Sequence, residues 1–257
     1  MNLKVIKIGG NVIDNPEELK VFVQAFASLA GPKILVHGGG KLATRMAERL
    51  GVETKMIDGR RVTSPEMLDI AVMMYAGLVN KHIVGLLQKS GCDAAGVCGA
   101  DGHCVTSVKR SPEPIDYGQV GDVTGINTRF FGSLFDAGVT PVVCAITADL
   151  SGQLLNTNAD SVASAIAKGL SYEYETSLVY CFEKSGVMGN VDDETTLINR
   201  LTPSLAQDLI ANGTIQGGMI PKVTNALDIV TNTPVKNVII KSSRNLTNDL
   251  GTLIEND

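Results

Sequence analysis

The stretch from Lys33 to Lys41, KILVHGGGK, constrains the fold more than any other. An apolar run (Ile34, Leu35, Val36) stops on three consecutive glycines, and Leu42, Met46 and Leu50 then follow at helical spacing. A strand, a glycine turn and a helix in that order aim backbone N–H groups at an anion, with no Cβ to keep it away. A plain tight turn between strand and helix has the same local pattern, so the rest of the chain must decide between them.

The other segments alternate in the same way. Leu3–Ile8 reads as a strand that Gly9-Gly10 ends, and Pro16 opens a helix to about residue 30 with Leu19, Phe22, Val23 and Phe26 on one face. A short strand at residues 54–57 runs into Asp58-Gly59-Arg60-Arg61. Ser64 and Pro65 start a long helix reaching Lys89. Strands are expected at 94–98 and 104–108, flanking Gly99–Gly102, and a loop with an irregular extended piece at 111–125. A helix is expected at 127–137 and a buried strand at 141–146. A hairpin turning at Asp149–Gly152 comes next, then an Ala-rich helix from Asn158-Ala159-Asp160 to Gly169. A strand at 177–182, a polar loop at 183–195, helices at 203–212 and 218–230, and a last central strand at 235–241 complete the reading. Strands alternating with helices predict an α/β fold, an open three-layer αβα sandwich around a mostly parallel sheet. A weak boundary falls near residues 170–180.

The long helix is apolar around most of its circumference (Leu68, Ile70, Val72, Met73, Met74, Leu78, Val79, Ile83, Leu86 among others), so it needs cover on most sides. Either a later element of the same domain or a second subunit supplies it.

Composition narrows the classes. The 257 residues are 44% hydrophobic and 19% charged with a net charge of −5, no Trp and no basic block, which argues against a nucleic-acid partner. No apolar run approaches the roughly 20 residues that span a bilayer and no signal-peptide pattern opens the chain, so a cytoplasmic protein without a membrane partner is expected. The five cysteines include no CxxC pair. Only His103 and Cys104 with Cys98 nearby hint at a metal, and adjacent ligands suit a tetrahedral site poorly, so no protein-bound metal is expected. No Ser/His/Asp context supports triad chemistry.

Among phosphate-binding patterns, Walker A fails because Leu42 follows Gly40-Lys41 where Ser or Thr is required. Gly38, Gly40 and Ala43 satisfy G-x-G-x-x-A with Asp58 about 20 residues on, which keeps a nicotinamide-dependent oxidoreductase open. That reading gives no role to Gly9-Gly10, to Lys7 or to the run from Asn156 to Asp160. Lys7 stands between apolar residues in a strand; it is either a solvated lysine on an edge strand or an ammonium at the carboxyl end of the sheet, where anions bind.

Seven pieces in order, VIKIGG (5–10), LVHGGGK (35–41), DGRRVTSPE (58–66), the turn at 99–102, DYGQVGDVTGIN (116–127), LLNTNADSVA (154–163) and GGMIPKVTNAL (217–227), resemble the amino acid kinase family. The R-V-T, N-x-N-A-D and G-M-I-x-K stretches point to its acylglutamate branch. The resemblance implies ATP, with Mg2+ carried on its phosphates, as phosphoryl donor. It also implies the γ-carboxylate of an N-acyl-L-glutamate, acetyl or succinyl, as acceptor, in arginine biosynthesis. By the same resemblance Lys7 and Lys222 bracket the transferred phosphoryl group and Asp160 orients them. Gly39 and Gly40 meet acceptor and γ-phosphate, Gly9 and Gly10 form the other phosphate loop, and Arg61 and Asn156 hold the acceptor's α-carboxylate. On the nucleotide side it implies Glu183, Lys184, Ser185, Gly186, Val187 and Met188, with Thr214, Ile215 and Gln216. Glu183 stands where the family has an aspartate. Lobes 1–170 for the acceptor and 171–257 for the nucleotide are expected. The chain begins at the first strand, without the extra helix of ring-forming, arginine-inhibited members, so a homodimer through helix 65–89 and no arginine control are expected. A catalytically silent metabolite sensor is the remaining alternative, against which Lys7, Asp160 and Lys222 speak together.

Overall fold

Asn2–Ile8 (β1) buries Leu3 and Val5 on one face and Ile6 and Ile8 on the other. A strand apolar on both faces needs helices on both sides, and β1 lies in the interior of an eight-stranded sheet. The computed structural model describes residues 1–57, 60–190 and 193–257. After β1 come a short helix α1 (Gly10–Asp14) and α2 (Pro16–Ser28), capped by Asn15, whose side chain accepts from the Glu17 and Glu18 amides. β2 (Lys33–His37) and α3 (Gly40–Arg49) follow, then the hairpin strands β3 (Lys55–Ile57) and β4 (Arg60–Val62). The long helix α4 (Pro65–Lys89) leads to β5 (Ala94–Val97), β6 (Val105–Lys109), β7 (Gly121–Ile126) and α5 (Thr128–Asp136). β8 (Thr140–Cys144), β9 (Ile146–Ala148), β10 (Leu154–Asn156) and α6 (Ala159–Leu170) precede β11 (Glu175–Phe182). The remainder is β12 (Met188–Asn190), β13 (Asp193–Leu197), β14 (Arg200–Leu201), α7 (Pro203–Ala211), α8 (Met219–Asn232), β15 (Asn237–Ser242) and β16 (Thr252–Ile254).

The central sheet has the order β14-β16-β15-β11-β1-β2-β8-β5. The six strands from β15 to β5 are parallel, and β16 pairs antiparallel with β15. β11 lies directly against β1, so one sheet runs through residues 170–180. Helices cover both faces: α6 and α8 pack on the side of Leu3 and Val5, α2 and the second half of α4 on the side of Ile6 and Ile8. This is the αβα architecture expected. A second sheet, β10-β9-β6-β7, stands beside it.

Several local expectations change. The run 141–146 is two strands, because the chain passes at Ala145 from the central sheet into the second one. The strands that flank the turn at 99–102 belong to different sheets, β5 to the central one and β6 to the second. Part of the expected loop 111–125 is β7, and the polar loop 183–195 carries the hairpin β12–β13. Gly9-Gly10 leads into a helical turn, and β14 and β16 extend the central sheet past the strand expected to be last.

Helix α4 is long and apolar enough, by length and composition, to cross a membrane, although no unbroken apolar run of that length stands out in the sequence. Its Met67, Ile70, Ala71, Met74, Tyr75, Val79, Ile83 and Leu87 are buried inside the domain. The Ser64 hydroxyl caps it, accepting from the Met67 amide at 3.2 Å, and residues Met73–Val79 widen into a π-helix.

Candidate active site

The loops that leave the carboxyl ends of β11, β1 and β2 meet at one cleft, with a volume of about 700 Å³. Strand alternation places Lys7 on the β1 face that α6 covers, and the Lys7 ammonium meets the Asp160 carboxylate in the first turn of α6 at 2.7 Å. Lys7 is only 9% exposed, and its strand is interior, so the solvated-edge reading does not hold. The Asn158 side chain, accepting from the Asp160 and Ser161 amides, caps α6 and fixes this turn. Lys222, in the first turn of α8, lines the same cleft; its Nζ lies 3.9 Å from the centre of the Phe182 ring, and the Nζ of Lys7 lies 5.4 Å from it. One aromatic ring thus meets two ammonium groups, which the ring quadrupole favours. Burial lowers the Lys222 pKa; Asp160 opposes the shift and Lys7 adds to it.

The glycine turn lies on the other side of Lys7. Gly39 caps α3, and a Cβ on it would stand 3.1 Å from Cδ1 of Tyr75, closer than side chains ordinarily pack. Tyr75 projects from the π-helical segment of α4. Arg61 is buried on β4, donates to the Thr44 hydroxyl at 2.8 Å and pulls against the burial that raises the Tyr75 hydroxyl pKa. Asn156, at the end of β10, donates from Nδ2 to the Thr63 hydroxyl at 3.0 Å, and its backbone amide to the Gln119 carbonyl at 2.9 Å. These contacts bring the R-V-T and N-T-N-A-D stretches, almost a hundred residues apart, to one wall.

Of the residues singled out in the sequence, Lys7, Gly9, Gly10, Gly39, Arg61, Asn156, Glu183, Lys184, Gly186 and Lys222 line the cleft, with Asp160 bonded to Lys7. Gly40 opens α3. Ser185 lies within the loop after β11, whereas Val187 is fully buried in the core and donates its amide to the Thr252 hydroxyl, and Met188 begins β12. Thr214, Ile215 and Gln216 form the turn ahead of α8, outside the cleft lining, with Ile215 packed in the core. Asp58 lies outside the described residues, as does Gly59. Sequence reasoning missed Asn11, Thr44, Tyr75, Asn158 and Phe182. Of these, only the N-cap position of Asn158 before the Ala-rich helix carried a local signal.

The cleft is basic although the chain is acidic. Among the described residues Lys7, Lys41, Arg60, Arg61, Arg110, Lys184 and Lys222 line it, against the single carboxylate Glu183. The N-termini of α3, α6 and α8 also face it, adding oriented N–H groups. Such a site can hold two anions side by side and offset their mutual repulsion. Among the described residues no group of three or more His, Cys, Asp or Glu could hold a metal ion.

The chain matches the amino acid kinase family over residues 2–242. It is similar to the acetylglutamate kinase of Phocaeicola vulgatus, with 42% identity over 98% of both chains. It is 46% identical to that of Cytophaga hutchinsonii over 95% of this chain and 92% of the other. Among solved structures, a protein of Streptococcus mutans UA159 superposes with a TM-score of 0.79 at 27% identity, covering 98% of each chain. A carbamate kinase from Giardia lamblia bound to AMP-PNP shares the fold, with a TM-score of 0.71 at 17% identity over 99% of this chain and 98% of the other. The chain belongs to the amino acid kinase family and is a phosphotransferase with a carboxyl group as acceptor.

Proposed function

We propose that this enzyme transfers the γ-phosphoryl group of ATP to the γ-carboxylate of N-acetyl-L-glutamate, a step of arginine biosynthesis. The observation that carries the reading is the Lys7–Asp160 pair at 2.7 Å, with Lys222 over the same Phe182 ring. A carboxylate oxygen attacks the γ-phosphorus while the bond to the β–γ bridging oxygen breaks, and the electron pair leaves on ADP. The attacking group is ionised near neutral pH, so no general base is required. Both reactants are anions, so the barrier is electrostatic, and fixed cations on the equatorial and bridging oxygens lower it. Lys7 and Lys222 supply those cations, and Asp160 holds Lys7 in register. Gly39 and Gly40 offer amides to acceptor and phosphate, Gly9 and Gly10 line the other side of the phosphate chain, and Arg61 with Asn156 binds the α-carboxylate. Magnesium enters on the nucleotide as part of the substrate. Residues 1–170 then carry the acceptor and 171–257 the nucleotide, through Glu183, Lys184 and Gly186. The working assembly is a cytoplasmic homodimer that meets along α4.

A succinyl group in place of acetyl is the second reading. Arg60 and Arg110 line the cleft, and Arg110 is held bidentate on Asp122 and lies 5.6 Å from the centre of the Tyr117 ring. A second carboxylate on the acyl group would find cations there. Turnover of acetyl- against succinyl-glutamate with ATP separates the two. A higher kcat/KM for acetylglutamate is the expected result, a preference for succinylglutamate moves the assignment to the second reading, and turnover of neither removes both.

A further inference from the structure

Three loops leave neighbouring strands β11, β1 and β2, and one short chain of polar side chains ties them together at the cleft. Asn11, in α1, donates from Nδ2 to Oε1 of Glu183, and its Oδ1 accepts from the Lys41 ammonium. All three residues line the cleft that holds Lys7 and Lys222. The arrangement has a direction. Flipping the Asn11 amide would set its NH2 against an ammonium and its oxygen against a carboxylate, so Glu183 fixes the amide and the amide fixes Lys41. Glu183 reaches the β1 loop with its longer side chain, which directs its carboxylate at Asn11.

The place of Lys41 gives this chain a use. Lys41 is the second residue of α3, directly after the three glycines, where backbone N–H groups already favour an anion. An ammonium carries three N–H donors and Asn11 engages one, so the same group can also meet a phosphate oxygen. Stability is a poor explanation for the contact: Asn11, Lys41 and Glu183 are all exposed, and exposed ion pairs and polar pairs contribute little to folding.

We propose that Lys41 is a further phosphate-binding cation for the triphosphate of the donor nucleotide, and that Asn11 and Glu183 are its positioning residues. This rests on the kinase reading above, and it adds a third lysine to the two that bracket the transferred group.

The test compares wild type, Lys41→Met, Asn11→Ala and the double variant. The measurements are the steady-state constants for ATP and N-acetylglutamate, and calorimetric affinity for the ATP analogue adenylyl imidodiphosphate with Mg2+. Lys41→Met is expected to lower kcat/KM for ATP about 10²-fold while leaving KM for the acceptor unchanged, and to weaken binding of the analogue. Lys41→Arg restores part of the loss. Asn11→Ala costs less, and costs nothing further once Lys41 is Met, because it acts through that ammonium. A structural role would instead lower Tm in all variants and move both KM values. An unchanged kcat/KM for ATP in Lys41→Met, or fully additive losses with Asn11→Ala, overturns the proposal. The binding arm needs no acceptor. Weaker analogue binding by Lys41→Met in a protein that phosphorylates no acylglutamate upholds the inference while the kinase assignment fails.

Discussion

His37 ends β2 fully buried, just before the glycine turn. Asn80 donates from Nδ2 to the ring Nε2 (3.0 Å apart) and to the Val142 carbonyl, so Nδ1 carries the proton and donates to the Gly38 carbonyl at 2.8 Å. Burial, with Lys81 adding to it and the Gly38 carbonyl opposing, pushes the imidazole pKa down from 6.5 to about 4. Below pH 6.5 the unfolded chain takes up a proton on this ring that the folded chain refuses until pH about 4, so folding stability falls as pH falls between those values. The loss reaches roughly 3 kcal/mol, from about 2.5 pKa units at 1.36 kcal/mol each. Urea unfolding from pH 7 to pH 4.5 is expected to give a flatter stability profile for His37→Asn than for wild type, and identical profiles would contradict it. Lys7 was legible in the sequence because a lysine inside an apolar strand is out of place there. Phe182 and Asn11 were not, because their roles arise only when β11 lies beside β1, a pairing of residues more than 170 positions apart.

At the scale of elements, the periodic segments were legible and the interrupted ones were not. β1, β2, α2, α6 and α8 each bury one consistent face or two, and their sequence patterns state this directly. β12 and β13 are largely exposed and polar, so no alternation marks them, and β14 is two residues long. The break at Ala145 is invisible in an apolar run because every residue from Pro141 to Ala148 is buried, in one sheet before the break and in the other after it. The π-helical segment of α4 carries Tyr75, which lies against Gly39, and Asn80 directly after it reaches His37. Nothing in MMYAGLV alone requires it.

For the whole molecule, two features of α4 bear on assembly. Its inner face is buried in the domain, while Met73 and Leu78 are exposed, at 53% and 43%, and Val72, Ala76 and Val84 are half-buried beside them. An apolar strip on a long helix suits a two-fold contact, which buries the same patch twice. Light scattering is expected to give twice the 27.1 kDa chain mass, and Met73→Lys with Leu78→Lys to halve it; a concentration-independent monomer in the wild type would contradict the homodimer. The proposed role of Lys7 and Lys222, held around Asp160 and Phe182, is to be the cations that carry phosphoryl transfer to a carboxylate. Its most direct test is to trap the acyl phosphate with hydroxylamine and measure hydroxamate formed from ATP and N-acetylglutamate by wild type, Lys7→Ala and Lys222→Ala. ATP-dependent hydroxamate is expected in the wild type and a kcat lower by about 10²–10³-fold in each variant, the effect of losing one preorganised donor. Near wild-type hydroxamate formation by either variant would contradict it.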